Sequence, residues 1–249
     1  MAYQMKEYWE RRLSADFSLS STGHQGFSER YNRYLYKLKE RSLGRALRRY
    51  DIKVERQSVL DIGCGNGFFV DYYARKGAVV TGVDITDMSV RSLSAKFPSC
   101  RFFKADISAP DLGLEGSFDI VNIFDLFYHI VDDGAFERAI GNIGGLCKRG
   151  AWILLTDTLA PEKSVGEHVR YRGLETYRTA LGKAGIDIAG IVPVFRLMGR
   201  GVGPAVRNEM IRRALGRAIE SLAPFCYIID LAYCPEKSSL MRLLVCRKK

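Results

Sequence analysis

Between Val59 and Phe69 the chain reads Val-Leu-Asp-Ile-Gly-Cys-Gly-Asn-Gly-Phe-Phe, which sets one acid and three alternating glycines at the end of an apolar run. Residues without a Cβ allow a tight turn and let a ligand lie against the backbone, so Gly63, Gly65 and Gly67 describe a loop built around a nucleotide-type cofactor. The spacing argues against a dinucleotide. That fingerprint places its third glycine three residues after the second, where this chain has Phe68. Asp61 points the same way, because a carboxylate two residues before the first glycine repels a pyrophosphate and attracts a cationic amino-acid head. Acids also end the next two apolar runs. Asp84 follows Val79-Val80-Thr81-Gly82-Val83, and Asp106 follows Phe102-Phe103-Lys104-Ala105.

In this order and spacing the motifs resemble those of the class I S-adenosylmethionine (SAM)-dependent methyltransferases, over roughly residues 58–195. The resemblance implies SAM as cofactor and S-adenosylhomocysteine as its product. It implies Asp61, Gly63, Cys64 and Gly65 at the amino-acid end, Asp84 with Ile85 at the ribose, Asp106 with Ile107 at the adenine, and Phe124 beside them. Residues 118–122 resemble the start of the family's fourth strand and residues 150–157 its fifth. The implied fold is a Rossmann-like, doubly wound α/β structure with a seven-stranded sheet whose last strand is antiparallel.

Methyl transfer to an alcohol requires an aligned acceptor, exclusion of water and a group to take the proton. The chain has three histidines, His24, His129 and His168. His129 follows the fourth strand, where this family brings the methyl group and acceptor together; many small-molecule relatives have His-His there and this chain has Tyr128-His129. Asp157 lies where sugar O-methyltransferases of the rebeccamycin type place an acid beside that histidine. The resemblance therefore implies His129 as base and Asp157 as the carboxylate that orients it. The alternative is a histidine that only packs and hydrogen-bonds beneath the cofactor, and His24 and His168 are further candidate bases. Asp132 and Asp133 with Asp157 suggest a magnesium site, but read equally well as the N-cap of a following helix, so no metal is expected.

These residues need a scaffold. Apolar residues recur at helical spacing through 28–50, among them Tyr31, Tyr34, Leu35, Leu38, Leu43, Ala46 and Leu47. Residues 18–26 are small, polar and glycine-punctuated, which predicts a loop. Residues 1–56 are thus expected to form a helical lid, in which Arg30, Tyr31 and Tyr34 either contact the methionine end or merely complete an amphipathic helix. Residues 57–249 form the SAM-binding domain. A sixth strand is expected at 186–195 and an antiparallel return at 240–246; the 44 residues between, 196–239, are too many for an idle hairpin loop and predict a cap over the acceptor. The cap holds a basic amphipathic helix at about 205–222, followed by Pro224-Phe225-Cys226-Tyr227.

A chain of 249 residues with 47% hydrophobic and 27% charged residues suits one large α/β domain. No signal-like apolar stretch opens it, and the most lipid-like run, 224–233, is short and contains Asp230, so a cytoplasmic protein without a membrane span is expected. Six cysteines without Cys-x-x-Cys spacing read as reduced thiols. Net charge is unevenly spread, at +6 over residues 1–56, −4 over 57–160 and +8 over 161–249. The basic ends suggest an anionic acceptor met by Arg207, Arg212 and Arg213, or else solvated helix faces.

The function expected is O-methylation of a small molecule, most plausibly a sugar or polar natural product. Two rivals remain: a nucleic-acid (RNA) methyltransferase and a SAM-binding protein without transfer activity. The pI of about 9.4 favours the first rival. However, the Asn/Asp-Pro-Pro-aromatic motif of amino-adenine enzymes is replaced by Asn122-Ile123-Phe124-Asp125, and no Pro-Cys nucleophile follows. Oligomeric state is left open.

Overall fold

The computed structural model describes residues 5–24, 26–114, 116–165, 167–202, 206 and 208–249. Helices α1 (Met5–Ala15), α2 (Leu19–Thr22) and α3 (Glu29–Arg49) precede the first strand, β1 (Ser58–Ile62). Strand and helix then alternate through α4 (Phe68–Ala74), β2 (Val79–Asp84), α5 (Asp87–Lys96), β3 (Arg101–Lys104), β4 (Phe118–Ile123), α6 (Asp133–Leu146) and β5 (Cys147–Asp157). A hairpin, β6 (Lys163–Val165) and β7 (Val169–Tyr171), leads to α7 (Leu174–Lys183) and β8 (Ile186–Phe195). The chain closes with α8 (Glu209–Ala232) and β9 (Met241–Lys248).

Seven strands form one sheet in the order β3-β2-β1-β4-β5-β9-β8. β9 runs antiparallel to both neighbours, with Leu154 opposite Val245 and Val192 opposite Leu243. The other neighbouring pairs are parallel. The central strands are apolar almost throughout because helices cover both faces. One face buries Leu35, Leu43, Val70, Tyr73 and Leu93 of α3, α4 and α5. The other buries Phe136, Ile140, Ile143, Tyr177 and Leu181 of α6 and α7. The strand order reverses between β1 and β4, which opens a crevice at the strands' carboxyl ends.

Two local expectations are corrected, and one helix of the arm is added. The segment 18–26 is not all loop, since Ser18 caps α2 by accepting from the Ser20 amide. Met5, Trp9 and Leu13 bring a further helix, α1, onto the crevice. Pro224 does not end the basic helix, which continues to Ala232. Buried contacts beyond the proline, with Tyr227 stacked on Tyr34 at 4.9 Å and Asp230 accepting from the amides of residues 196–198, outweigh the one N–H that proline lacks.

Candidate active site

The glycine turn follows β1 directly. Gly63, Gly65 and Gly67 have φ of 72°, 49° and 82°, the left-handed region that side chains disfavour. At Gly67 a Cβ would also lie 2.5 Å from Leu93 Cδ2. The amides of Gly63 and Cys64 donate to the Val83 carbonyl, and the Gly65 amide donates to Asp84 Oδ2 at 2.8 Å. Asp84 Oδ1 accepts from the Thr86 amide and hydroxyl. Asp106 likewise accepts from the Ser108 amide and hydroxyl.

Gly63, Cys64, Gly65, Asp84, Ile85, Asp106, Ile107 and Phe124, eight of the nine expected cofactor residues, line one cleft at these strand ends. Asp61 lies behind it. Its Oδ1 accepts from Asn122 Nδ2 at 2.7 Å, and the Asn122 side-chain Oδ1 in turn accepts from the Tyr73 hydroxyl. Its Oδ2 is buried with no hydrogen-bond partner among the described residues. Burial pushes the Asp61 carboxyl up to about 7, against the Asn122 hydrogen bond and with the help of Asp84. Burial raises Asp84 as well. Two buried carboxyls with only neutral donors form a site short of positive charge, which a sulfonium and an ammonium would supply. The residues therefore fit SAM.

The arm is tied down over this cleft. Asn66 donates to the Ser18 carbonyl and to Thr22 Oγ1, and Tyr36 donates to Thr22. The Glu10 carboxylate accepts from the Asp87 and Met88 amides at the start of α5. Of the two expectations for Tyr31 and Tyr34, contact with the methionine end is not seen: they pack against the segment after β8, with Tyr31 accepting from the Gly199 amide, as residues of an amphipathic helix.

A second cavity, about 650 Å³, adjoins the cleft. Trp9, Thr22, Asp125 and His129 line both spaces. Its wall combines apolar and aromatic side chains, among them Leu35, Tyr128, Tyr171, Phe195 and Met241, with the polar and charged Arg12, Lys39, Asp125, Thr158, Ser239 and Arg242 and with His24 and His168. The segment 196–239 contributes Gly199 and Ser239.

At the junction, His129 Nδ1 lies 3.1 Å from the His168 carbonyl, and its ring stands edge-on to Trp9 at 4.9 Å. A carbonyl can only accept, so Nδ1 carries the proton and Nε2 keeps a lone pair. Burial lowers the His129 pKa to about 4, outweighing the His168 carbonyl and the Asp125 charge. Asp125 has φ 59° and pairs with Lys39, a lysine only 4% exposed. Burial works to lower the Lys39 pKa, yet the Asp125 carboxylate holds it above the usual lysine value, so it is a cation and not a base.

The expected His129–Asp157 pair is not formed. Asp157 is wholly buried, where Tyr177 of α7 donates to it together with the Thr158 amide and hydroxyl. Tyr177 reaches the carboxylate from among Phe127 and Phe136, whereas the imidazole is turned to the β6–β7 hairpin. Burial raises Asp157 to about 6. Asp132 caps α6 by accepting from Ala135, and Asp133 pairs with Arg170 and Arg172, so neither meets Asp157. Among the described residues no three His, Cys, Asp or Glu side chains are grouped to hold a metal ion. Arg212 and Arg213 line a separate groove with His24 and Phe27, not the second cavity's wall, and Arg207 lies outside the described residues.

Three features went unread in the sequence. Met5, Trp9 and Leu13 recur every four residues, a helix signal. Lys39 falls between Leu35 and Leu43 on the apolar stripe, where a charge needs a partner. Arg172 is 1% exposed and donates to the Ile130 and Phe127 carbonyls and to Asp133, clamping both sides of His129.

Comparison with known proteins agrees with this geometry. The methyltransferase domain family matches residues 59–150. The ubiquinone biosynthesis O-methyltransferase of Albidiferax ferrireducens is 33% identical over 116 residues, 45% of each chain. That of Paracidovorax citrulli is 31% identical over 108 residues, 41% of this chain and 44% of that protein. The chain thus spans less than half the length of the curated relatives it matches. Magnesium protoporphyrin IX methyltransferase from Synechocystis PCC 6803, solved with bound SAM, superposes with a TM-score of 0.62 at 16% identity, covering 100% of this chain and 99% of that one. The [4+2]-cyclase SpnF superposes with a TM-score of 0.54 at 18% identity, over 84% of this chain and 80% of that one. Likeness at these identities concerns the fold. With the matched domain, the seven-stranded sheet and the glycine turn together, the chain carries a class I S-adenosylmethionine-dependent methyltransferase domain.

Proposed function

We propose that the protein transfers a methyl group from SAM to a hydroxyl of an aromatic, ring-shaped small molecule. The observation that carries this reading is the junction at Trp9, Thr22, Asp125 and His129, where the cofactor cleft opens into a cavity with aromatic side chains on its wall. Trp9, Tyr128, Tyr171 and Phe195 on that wall offer faces for a phenolic ring. The relatives named for ubiquinone biosynthesis favour the same class.

SAM supplies an electrophilic methyl group on a sulfonium. In this reading Asp84 holds the ribose hydroxyls, Asp106 and Ile107 the adenine, and Asp61 contributes negative charge behind the amino-acid end. His129 Nε2 accepts the hydroxyl hydrogen bond and turns the oxygen toward the junction. As the oxygen forms its third bond, to the methyl carbon leaving sulfur, its proton becomes far more acidic, so even an imidazole with a pKa of about 4 can take it. The arm, residues 1–56, excludes water as a lid, and residues 196–239 border the acceptor.

The test offers catechols and sugars separately with SAM and follows methylated product by mass spectrometry. Methylated catechol supports the reading. A methylated sugar would replace the acceptor class, and tight SAM binding without any product would favour a non-transferring role, a live contrast because the fold is shared with a protein named as a cyclase.

A further inference from the structure

The second cavity is short of negative charge. Its wall carries Arg12, Lys39 and Arg242, and among the described residues Asp125 is the one carboxylate that lines it. Lys39 takes Asp125 as its partner. The two guanidiniums are left with uncharged groups. Arg12, in the last turn of α1, lies 4.8 Å over the Trp9 ring and donates to the Tyr8 hydroxyl and to the Ser20 and Gly23 carbonyls, which ties α1 to the end of α2. Arg242 follows the first residue of β9 and donates to the Glu236 and Leu159 carbonyls. Asp157, opposite Arg242 in the sheet, engages Tyr177 and Thr158 instead.

Neither guanidinium exhausts its fork of N–H donors in these bonds. The buried Nε of Arg12 has no hydrogen-bond partner among the described residues, and the bonds of Arg242 leave from Nε and Nη1. Burial is the main cause of the lowered His129 pKa and the Arg12 charge adds to it, so this cation stands within electrostatic reach of the imidazole. Two arginines on the wall of one partly desolvated space, without an acid to meet them, attract an anion. A planar carboxylate matches the parallel N–H groups of a guanidinium.

We propose that Arg12 and Arg242 select an acceptor that carries a carboxylate as well as its ring hydroxyl. The inference rests on the methyl-transfer reading above, in which the hydroxyl meets His129, and gives the carboxylate an anchoring part, not a chemical one. The anionic acceptor expected from net charge thereby meets arginines of α1 and β9 instead of those of α8.

The test titrates 3,4-dihydroxybenzoate and its methyl ester into the protein saturated with S-adenosylhomocysteine, then measures KM for both, and for catechol, with SAM. The acid should bind about tenfold or more tightly than the ester, an advantage that shrinks as salt rises. Arg242→Gln should weaken binding of the acid and raise its KM by about ten- to a hundredfold, acting far less on ester and catechol. Arg12→Gln should do the same, whereas Arg12→Lys, which keeps the charge without the fork, should lose only part of the acid's advantage. SAM affinity in each variant reports intact folding. Equal affinity of wild type for acid and ester, or an acid preference that survives in both glutamine variants, overturns the proposal. So does tighter binding of phenyl phosphate than of the acid, or a product methylated on the carboxylate. Arginine-dependent binding of the acid without methylated product supports the carboxylate site while overturning the transfer reading; methylation of catechol and ester as efficient as that of the acid does the reverse.

Discussion

Cofactor binding should carry a proton-linked signature traceable to Asp61. Its carboxyl has a pKa of about 7 in the unliganded protein because it is buried beside Asp84 with only Asn122 donating to it. A cationic ligand favours the carboxylate, so binding must expel whatever proton is present. If the bound-state pKa falls well below 6, SAM should bind about fivefold more tightly at pH 7 than at pH 6, with net proton release. Asp61→Asn should flatten that dependence and weaken binding at pH 7 by about ten- to a hundredfold. Calorimetry in two buffers of different ionisation enthalpy counts the protons, and Trp9 in the cleft offers a fluorescence readout of affinity. A pH dependence that survives unchanged in Asp61→Asn would refute the reasoning. The same raised pKa reverses the usual carboxylate contribution to stability. Unfolded, the group ionises near 4; folded, it holds its proton to about 7. Stability of the unliganded protein should therefore fall by on the order of 4 kcal/mol as pH rises across that window, less so with SAM bound.

Other substitutions separate binding, positioning and folding. Asp84→Ala removes a buried acceptor and should cost about 1.5–3 kcal/mol of SAM binding, read by calorimetry; unchanged affinity removes the ribose assignment. Gly67→Ala, strained at φ 82° and crowded by Leu93, should lower stability by about 2–4 kcal/mol in denaturant melts, and a neutral result would mean the turn relaxes freely. Arg172→Met takes the donor from the Ile130 carbonyl, while the Phe127 carbonyl keeps the Ile130 amide, and should cut kcat, restored in part by Arg172→Lys, with SAM affinity retained. At saturating SAM, kcat should show no inflection from His129 between pH 6 and 8 and should decline as pH falls toward about 4, because burial lowers the imidazole pKa.

The cofactor half was legible in the sequence because its determinants are local. Gly63, Gly65 and Asp84 follow or end buried strands and Asp106 comes soon after β3, and their order matches the family that the sequence resembles, which implies the doubly wound sheet. The acceptor half depends on contacts between distant segments. Asp157 looks available at the tip of β5 until Tyr177, twenty residues on, takes its carboxylate. His129 looks like an ordinary imidazole until α1 and the β6–β7 hairpin close around it. Lys39 and Asp125, 86 residues apart, become a pair only when α3 packs across the sheet ends.

The most direct measurement is single-turnover methyl transfer to a catechol by wild type and by His129→Gln, with SAM affinity determined on the same preparations. Loss of Nε2 removes an interaction required mainly in the transition state, so the account predicts equimolar methylated product and S-adenosylhomocysteine from wild type and a rate about 10²–10⁴ lower in the variant, at unchanged SAM affinity. Wild type that binds SAM and yields no product, or a His129→Gln variant with most of its rate intact, would contradict it.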